Sequence, residues 1–442
     1  MPDVSALVIT LMILGLALLL LFSGLGIGFA LAVSGIIVGF LLWGTVSWDL
    51  VVTATIEEMQ SFALVAALCF IFMAMVLEKS GIAEDLFDSM HAWFGPVNGG
   101  LAIGTVIICT LFAAMSGVSA TGTMTMGIIA LPVMRKFGYS KSIVLGPIAA
   151  GGALGVLIPP SVMMIIYGLI SGESIARIFM GGMGAGLVLA TLFILYIFIR
   201  CRLSPQLAPA LPPEERPSFS KKIKMTKGLV LPILLIVAVL GSIFGGIATP
   251  TEAAGIGAIG AVICSVVNRR FTWKGLWSAG LTSMRIMAAV FWILLGAKIF
   301  SVVYTAVGGK EVMMDLLGGF ISQPTLLLIL FMAFFFIAGC LMESIAIIVI
   351  FAPIFLPIVS IMGWDPIWFC IVLMVNLQMG FLTPPFGFNL FYLRAVAPPD
   401  VTMGDIYRSV IPFVALQAVG LALVIFFPAI ATWLPNLWLG VQ

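Results

Sequence analysis

Long apolar segments alternate with short polar connections along almost the whole chain. In the first half, the apolar segments lie near 5–22, 25–44, 61–78, 98–115, 120–135, 141–171 and 178–200. In the second half, they lie near 229–247, 252–268, 284–306, 324–340, 345–360, 366–394 and 409–434, with amphipathic stretches at 79–95 and 272–282. A helix of about 20 apolar residues spans the hydrocarbon core of a bilayer. The pattern therefore predicts an all-α integral membrane protein.

The two halves carry the same helix breakers at the same spacing. A shift of 225 residues aligns 112–168 with 337–393 without a gap. The aligned pairs include Ser119 with Ser344, Pro132 with Pro357, Gly155 with Gly380, and Pro159–Pro160 with Pro384–Pro385. Gly and Pro interrupt helices, and matched interruptions at one fixed offset indicate an internal repeat.

The repeat predicts two structural halves joined by a linker. We expect the first repeat at 1–200, a cytoplasmic linker at 201–227 and the second repeat at 228–442. Each repeat would hold about five transmembrane helices, one re-entrant hairpin and one broken helix. The hairpins are predicted at about 98–135 and 324–360, and the broken helices at 141–171 and 366–394.

Basic residues indicate how the two halves are oriented. Seven Lys and Arg residues, counted from Arg200, lie in or beside the linker, which the positive-inside rule places in the cytoplasm. The first hairpin also ends in basic residues, Arg135 and Lys136, whereas the second has little basic charge nearby. We therefore expect the hairpins to enter from opposite faces, as in the inverted repeats of secondary transporters.

Composition narrows the function. The chain is 62% hydrophobic and 9% charged, whereas soluble proteins carry about 25% charged residues. A net charge of +2 gives no indication of nucleic acid binding, and the chain has no GxxxxGK[ST] motif for ATP. We expect an ion gradient to supply the energy instead. A single His and few intramembrane carboxylates disfavour a membrane-embedded enzyme. A passive anion channel is also disfavoured, because it would have no use for helix breaks that occur in pairs and suit cations.

Four helix breaks carry the candidate chemistry. SGVSATGT and LIPPS interrupt the first half, and CLMES and LTPPFGF interrupt the second. Each break frees carbonyls that suit a small hard cation and helix N-terminal amides that suit a carboxylate. Breaks that converge at mid-membrane would form one anion site flanked by two cation sites. The structural alternative is that the Pro-Pro pairs only kink their helices.

Polar side chains inside apolar segments are functional candidates. Glu343, at the second hairpin tip, could ligate a cation, be protonated, or point to the membrane interface. Lys298 could act in transport or extend its charge to the interface. Arg394 could attract an anion or be ordinary cytoplasmic charge. Asn389, about one turn past the second Pro-Pro pair, is a candidate substrate contact because the first copy has Met164 there.

The stretch from Thr249 to Ala261 predicts the start of a closely packed helix. Thr249 as N-cap, Pro250 after it and Glu252 form a capping box. The Gly and Ala spacing that follows allows close helix packing. The alternative interpretation is a contact with a partner membrane subunit.

These motifs resemble a known family. Five segments are similar to the large membrane subunit of tripartite ATP-independent periplasmic (TRAP) transporters. They are FAAMSGVSATGT, ALPVMRKFGYSKS, GALGVLIPPS, IATPTEAAGIGA and FLTPPFGFNLF. The resemblance implies sodium-coupled import of a small organic acid anion across a bacterial or archaeal cytoplasmic (inner) membrane by an elevator mechanism. It also implies two partners, a small four-helix membrane subunit and a soluble periplasmic substrate-binding protein.

The resemblance also implies residues for two or more sodium ions and for substrate. The first sodium site would use Ser116, Ser119, Gly155, Ile158 and Pro160. The second would use Glu343, Ser344, Gly380, Thr383 and Pro385. Substrate would sit near Ser116, Thr121, Asn389 and Arg394. The chain departs from some relatives in having Val118 where they have Ser, and Glu343 where they often have Asp.

Some alternatives remain open at this stage. A stand-alone sodium/anion symporter of related two-hairpin architecture would need neither partner. The transported acid could be a C4-dicarboxylate, an oxo-acid, a sialic acid or a sulfonate, because each suits a pocket rich in amides with a single basic residue.

Overall fold

The computed structural model of this chain describes residues 5–212, 214, 216–226, 229–309, 311–313, 315 and 322–439. Within these ranges every regular element is a helix, which confirms the all-α prediction. The predicted ends of the repeats at 1–4, 228 and 440–442, and linker positions 213, 215 and 227, lie outside the described residues. The repeat boundaries therefore stay a prediction.

The helices follow the order of the apolar segments. The first half contains α1 (Ala6–Phe22), α2 (Ile27–Trp43), α3 (Ser47–Met59), α4 (Phe62–Lys79), α5 (Ile82–Phe94), α6 (Gly100–Ser116), α7 (Ser119–Lys136), α8 (Lys141–Ala153), α9 (Val162–Ser171) and α10 (Ile175–Leu203). The second half contains α11 (Phe219–Thr226), α12 (Val230–Phe244), α13 (Pro250–Val267), α14 (Trp273–Ala306), α15 (Pro324–Leu341), α16 (Ser344–Ile361), α17 (Pro366–Phe381), α18 (Phe388–Val396), α19 (Met403–Phe426) and α20 (Ala429–Leu439).

The protein is built to sit in a bilayer. Among the described residues, seven helical spans are long and apolar enough to cross it, and five shorter apolar helices include α1 and parts of the first hairpin and of both broken helices. Apolar side chains face outwards on these helices: Leu11 is 62% exposed, Leu19 65% and Ile259 66%. Exposed apolar patches of this extent mark a surface that is covered by lipid or by another protein.

Three element boundaries differ from the sequence prediction. Helix α3 was missed because Asp49, Glu57 and Glu58 lower the apolar character of that stretch. The amphipathic piece at 272–282 and the segment at 284–306 form one continuous helix, α14, since no Pro interrupts them. The predicted last helix at 409–434 is divided between α19 and α20 at Pro428, which has no N–H to continue a helical ladder.

Backbone contacts place the linker beside the base of the first hairpin. The Gly99 N–H donates to the Ala208 carbonyl at 3.0 Å, and the Ser140 N–H donates to the Leu207 carbonyl at 2.8 Å. At the far end of the first broken helix, the Tyr167 hydroxyl donates to the carbonyl of Pro366, where the second broken helix begins, at 3.2 Å. These contacts are compatible with hairpins that enter from opposite faces, and the inversion of the repeats stays a prediction.

The helices form two packed groups. We call α1–α4 with α12–α14 the scaffold, and α6–α10 with α15–α19 the hairpin module.

Within the scaffold, the Thr249 capping box is confirmed, since the Thr249 N–H donates to Glu252 Oε2 at 2.8 Å and the Glu252 N–H donates to Thr249 Oγ1 at 3.3 Å.

Glycines allow the scaffold helices to approach closely. A Cβ on Gly296 of α14 would overlap the backbone of Gly28 on α2, and a Cβ on Gly257 of α13 would lie 2.7 Å from Met73 Sδ on α4. Small residues at such crossings permit backbone-to-backbone packing in membranes. Close crossings of α14 with α2 and of α13 with α4 therefore hold the scaffold together.

Gly296→Ala is expected to destabilise the protein, because the added methyl group must push α2 and α14 apart. Overpacking of this kind costs about 1–3 kcal/mol, and the thermal unfolding temperature in detergent should fall. The matched control is Gly255→Ala on α13, where an added Cβ meets no atom within 4 Å. That control should unfold at an equal or higher temperature, since Ala favours a helix over Gly by about 1 kcal/mol. Equal behaviour of the two variants would contradict the close crossing.

Candidate functional site

The tip of the first hairpin packs directly on the break in the first broken helix. Gly117 turns the chain between α6 and α7 with a positive φ of 62°, and a Cβ there would overlap the carbonyl of Pro160. A Cβ on Gly155 would lie 3.0 Å from the Val118 carbonyl carbon. The Val162 N–H, which begins α9, donates to the Gly117 carbonyl at 3.4 Å.

The tip of the second hairpin packs on the second break in the same way. A Cβ on Gly380 would lie 2.8 Å from the carbonyl carbon of Gly339. The Phe386 N–H, just past the second Pro-Pro pair, donates to the Cys340 carbonyl at 3.2 Å. Both Pro-Pro peptide bonds are cis. Each tip therefore meets the break of its own repeat, which the sequence alignment had paired.

Glu343 caps the helix that leaves the second tip. Its Oε2 accepts from the Ile345 N–H at 2.8 Å and from the Ala346 N–H at 3.4 Å. The corresponding position in the first tip is Val118, and α7 begins there without any side-chain cap. The N-terminal amides of α16 are thus engaged by a carboxylate, whereas those of α7 have no such side-chain partner.

A cavity of about 90 Å³ lies where these parts converge. It is lined by both hairpin tips, by both broken helices and by two residues of scaffold helix α14, Ile286 and Val290. Three predicted site residues reach it: Ser119, Glu343 and Asn389. The predicted convergence of the breaks is therefore present in the fold.

The other predicted residues lie around this cavity. Eight of them belong to the tips and breaks that enclose it: Ser116, Gly155, Ile158, Pro160, Ser344, Gly380, Thr383 and Pro385. Thr121 is half-buried on α7. Arg394 lies further along α18, where its guanidinium donates to the Ala397 carbonyl at 3.4 Å. The roles assigned to all these residues stay predictions.

Asn389 joins the two halves of the hairpin module. Its Oδ1 accepts from the Thr123 hydroxyl of α7 at 2.8 Å, and its Nδ2 donates to the Ala149 carbonyl of α8 at 2.6 Å. Asn389 and Thr123 are fully buried. The amide thus links the second broken helix to the first hairpin and the first broken helix, in addition to lining the cavity.

One polar group at the second tip has no protein partner. Ser344 is fully buried, and its Oγ has no hydrogen-bonding partner in the structure. Leaving a buried hydroxyl unpaired costs about 1–3 kcal/mol, so such a group calls for an explanation. Its position beside Glu343 fits the second predicted cation site.

Sequence reasoning missed the apolar wall of the cavity. Val162, Met163, Phe381, Phe388 and Tyr392 line it together with Ile286 and Val290. The available signal was their position close to the breaks, with Phe381 just before one and the other four after, because a side chain beside a break must lie near the tip that packs on it. The scaffold residues had no comparable signal, since nothing local distinguishes Ile286 from other apolar residues of α14.

Comparison with known proteins identifies the family. The family model described as "Tripartite ATP-independent periplasmic transporter, DctM component" matches residues 14–430. The chain belongs to the DctM family. It is the large permease subunit of a TRAP transporter, a secondary transporter component rather than an enzyme, which confirms the resemblance drawn from the motifs.

Relatives of this DctM protein match over nearly their full length. The C4-dicarboxylate TRAP transporter large permease protein DctM of Pseudomonas aeruginosa is 33% identical over 387 residues, covering 87% of this chain and 89% of that protein. The ectoine/5-hydroxyectoine TRAP transporter large permease protein UehC of Ruegeria pomeroyi is 32% identical over 409 residues, covering 91% and 94%. The family thus includes proteins named for chemically different substrates.

A solved structure supports the fold of this DctM protein. The YdaH transporter of Alcanivorax borkumensis superposes with a TM-score of 0.65 over 98% of both chains at 16% sequence identity. At this identity the likeness concerns the fold alone. It supports the all-helical fold described above.

Asn389→Leu is expected to lower the thermal unfolding temperature, because it removes two buried hydrogen bonds and leaves the buried Thr123 hydroxyl without its acceptor. The cost of such an unpaired group is about 1–3 kcal/mol. Thr123→Val, which removes only one of the two bonds at nearly constant volume, should have a smaller effect of the same sign. Thermal unfolding in detergent measures both. An Asn389→Leu protein that loses uptake but keeps its unfolding temperature would show that Asn389 acts on substrate alone.

Proposed function

We propose that this chain imports a small organic acid anion together with sodium ions. The observation that carries the proposal is the single cavity enclosed by both hairpin tips, both helix breaks and scaffold helix α14. Such an arrangement places cation ligands and anion-binding amides next to one another, so that the two solutes bind as a unit. Membership of the DctM family supports transport as the use of this cavity.

Sodium would bind at the two tips. Hard cations take oxygen ligands from hydroxyls, carboxylates and backbone carbonyls. The first tip and break offer the hydroxyls of Ser116 and Ser119 and the backbone of the Gly155 to Pro160 turn. The second offers the Glu343 carboxylate and the hydroxyls of Ser344 and Thr383. The unpaired Ser344 hydroxyl supports the second site most directly.

The anion would bind nearer the first tip. The N-terminal amides of α7 have no side-chain cap, and a helix N-terminus attracts a carboxylate through its free N–H groups and its dipole. At the second tip the Glu343 carboxylate already accepts from two of the equivalent amides. We therefore expect the anion beside the α7 N-terminus, next to the first sodium site and away from the Glu343 carboxylate.

Transport would proceed by an elevator movement of the hairpin module against the scaffold. The cavity has walls from both groups, so it changes its surroundings when one group slides along the other. The basic linker would face the cytoplasm, which places the Ala306 end of α14 towards the periplasm. The bacterial cytoplasmic membrane is the expected location.

Two partners complete the proposed system. Its relatives are named large permease proteins, and the family description is tripartite. We infer a small four-helix membrane subunit and a periplasmic substrate-binding protein that delivers the acid. The substrate class stays broad, because relatives are named for dicarboxylates and for ectoine.

Uptake by proteoliposomes tests this proposal. They would contain this chain and its small subunit and would be offered labelled succinate, pyruvate, N-acetylneuraminate, isethionate or ectoine. We expect uptake that requires both an inward sodium gradient and the binding protein. Sodium-driven uptake without the binding protein would favour a stand-alone symporter, and flux without a gradient would favour a channel.

Ser344→Ala is expected to separate stability from sodium binding. Without sodium, removal of the unpaired hydroxyl should leave the unfolding temperature unchanged or raise it. With sodium, the rise in unfolding temperature that the ion produces in the native protein should shrink, because a ligand is lost. The matched control is Ser34→Ala in the scaffold, which is equally buried but whose hydroxyl donates to the Leu31 carbonyl at 2.8 Å. A native-sized sodium effect in Ser344→Ala would remove Ser344 from the ligands.

A further inference from the structure

One face of helix α14 lines two separate cavities. Ile286 and Val290 line the cavity at the hairpin tips, while Leu294, Lys298 and Ser301 line a second one. These residues are spaced three or four apart, so they form one stripe along the helix. The stripe is apolar beside the first cavity and becomes polar and cationic beside the second.

The second cavity also lies between the scaffold and the hairpin module. Its volume is about 150 Å³. The module contributes Leu169 and Ile170 from the end of α9 and Val349 from α16. Since α9 ends on the side opposite the linker, this cavity lies on the proposed periplasmic side of the first one.

Lys298 is the cation of this second cavity. Its Nζ lies 3.1 Å from Glu57 Oε2, and the two side chains are 38% and 57% exposed. Glu58 lines the same cavity. The Glu57 carboxylate therefore balances the charge of Lys298, which explains how a lysine is accommodated within a long apolar helix. Because the ion pair is partly exposed, its net stabilisation is small, about 0–1 kcal/mol, and an anion can replace Glu57.

The two cavities are separated along α14 by a distance that a short sliding movement of the hairpin module would cover. Lys298 lies eight residues beyond Val290 on α14, and a helix rises about 1.5 Å per residue, so the separation along the axis is about 12 Å. A movement of the module by this amount towards the Ala306 end would bring the hairpin tips to the level of Lys298.

We propose that Lys298 is an anion-binding station on the scaffold. Its ammonium group contacts the carboxylate or sulfonate of the substrate when the hairpin tips stand at the second cavity, and it returns to Glu57 when they move away. The substrate thus meets a fixed positive charge on the periplasmic side of its path and an apolar wall, Ile286 and Val290, at the cavity described above. This inference rests on the proposed sodium-coupled import and assigns a part of its anion selectivity to the scaffold.

The test compares Lys298→Gln, Lys298→Arg and Glu57→Gln in the proteoliposome assay. The probe is the labelled anion that the wild-type protein imports. For uptake from the periplasmic side, Lys298→Gln should raise the KM about tenfold, Lys298→Arg should restore most of it, and Glu57→Gln should lower the KM because Lys298 loses its competitor. The KM for exchange from the cytoplasmic side should not change in any of them. Lys274→Gln, at the exposed linker end of the same helix, is the matched control and should behave as wild type.

Two results would overturn the inference. If Lys298→Gln and Glu57→Gln alter uptake in the same direction, the ion pair only holds the scaffold together. If Lys298→Gln leaves the KM on both sides unchanged, Lys298 does not meet the substrate. Unfolding temperatures of the variants separate these outcomes from misfolding. A wild-type protein without sodium-driven uptake would instead overturn the proposed function itself, and the inference with it.

Discussion

The structure depends on how backbone polar groups are satisfied at four helix breaks within apolar segments. Lipid offers no hydrogen bonds, so irregular backbone is tolerated at that depth only when protein or a water-filled cavity surrounds it. Here each hairpin tip packs on the break of its own repeat. The Gly117 and Cys340 carbonyls accept N–H groups from just beyond the two Pro-Pro pairs. Gly155 and Gly380 allow the backbones to approach.

The same constraint explains why the candidate site is where it is. A helix end that cannot be satisfied by its own ladder leaves carbonyls and amides available, and these are the groups that bind cations and carboxylates. The cavity forms because two such constructions face one another across the hairpin module, and α14 closes it from the scaffold. Binding sites at breaks are in this sense a consequence of breaking apolar helices.

The two repeats have the same framework but different chemistry. Val118 of the first tip corresponds to Glu343 of the second, and Met164 corresponds to Asn389. The first exchange gives one tip a carboxylate cap and leaves the other tip's amides without one. The second exchange ties three helices of the module together through one amide. A symmetric framework therefore presents an asymmetric cavity, which suits a cation and an anion bound side by side.

The sequence by itself determined the helical architecture, the internal repeat, the positions of the breaks and the family. Helices and breaks are predictable because the length of an apolar segment and the presence of Gly or Pro affect backbone conformation within a few residues. It also placed the capping box at Thr249 correctly for the same reason. It missed α3 and the continuity of α14, where charged residues inside helices hid the apolar pattern. Only the tertiary structure decided the partners of Asn389, which lie 266 and 240 residues away, the isolation of the Ser344 hydroxyl, and the pairing of Lys298 with Glu57. These contacts depend on which helices pack against one another. The residues beside a side chain in the sequence carry no information about its neighbours on other helices.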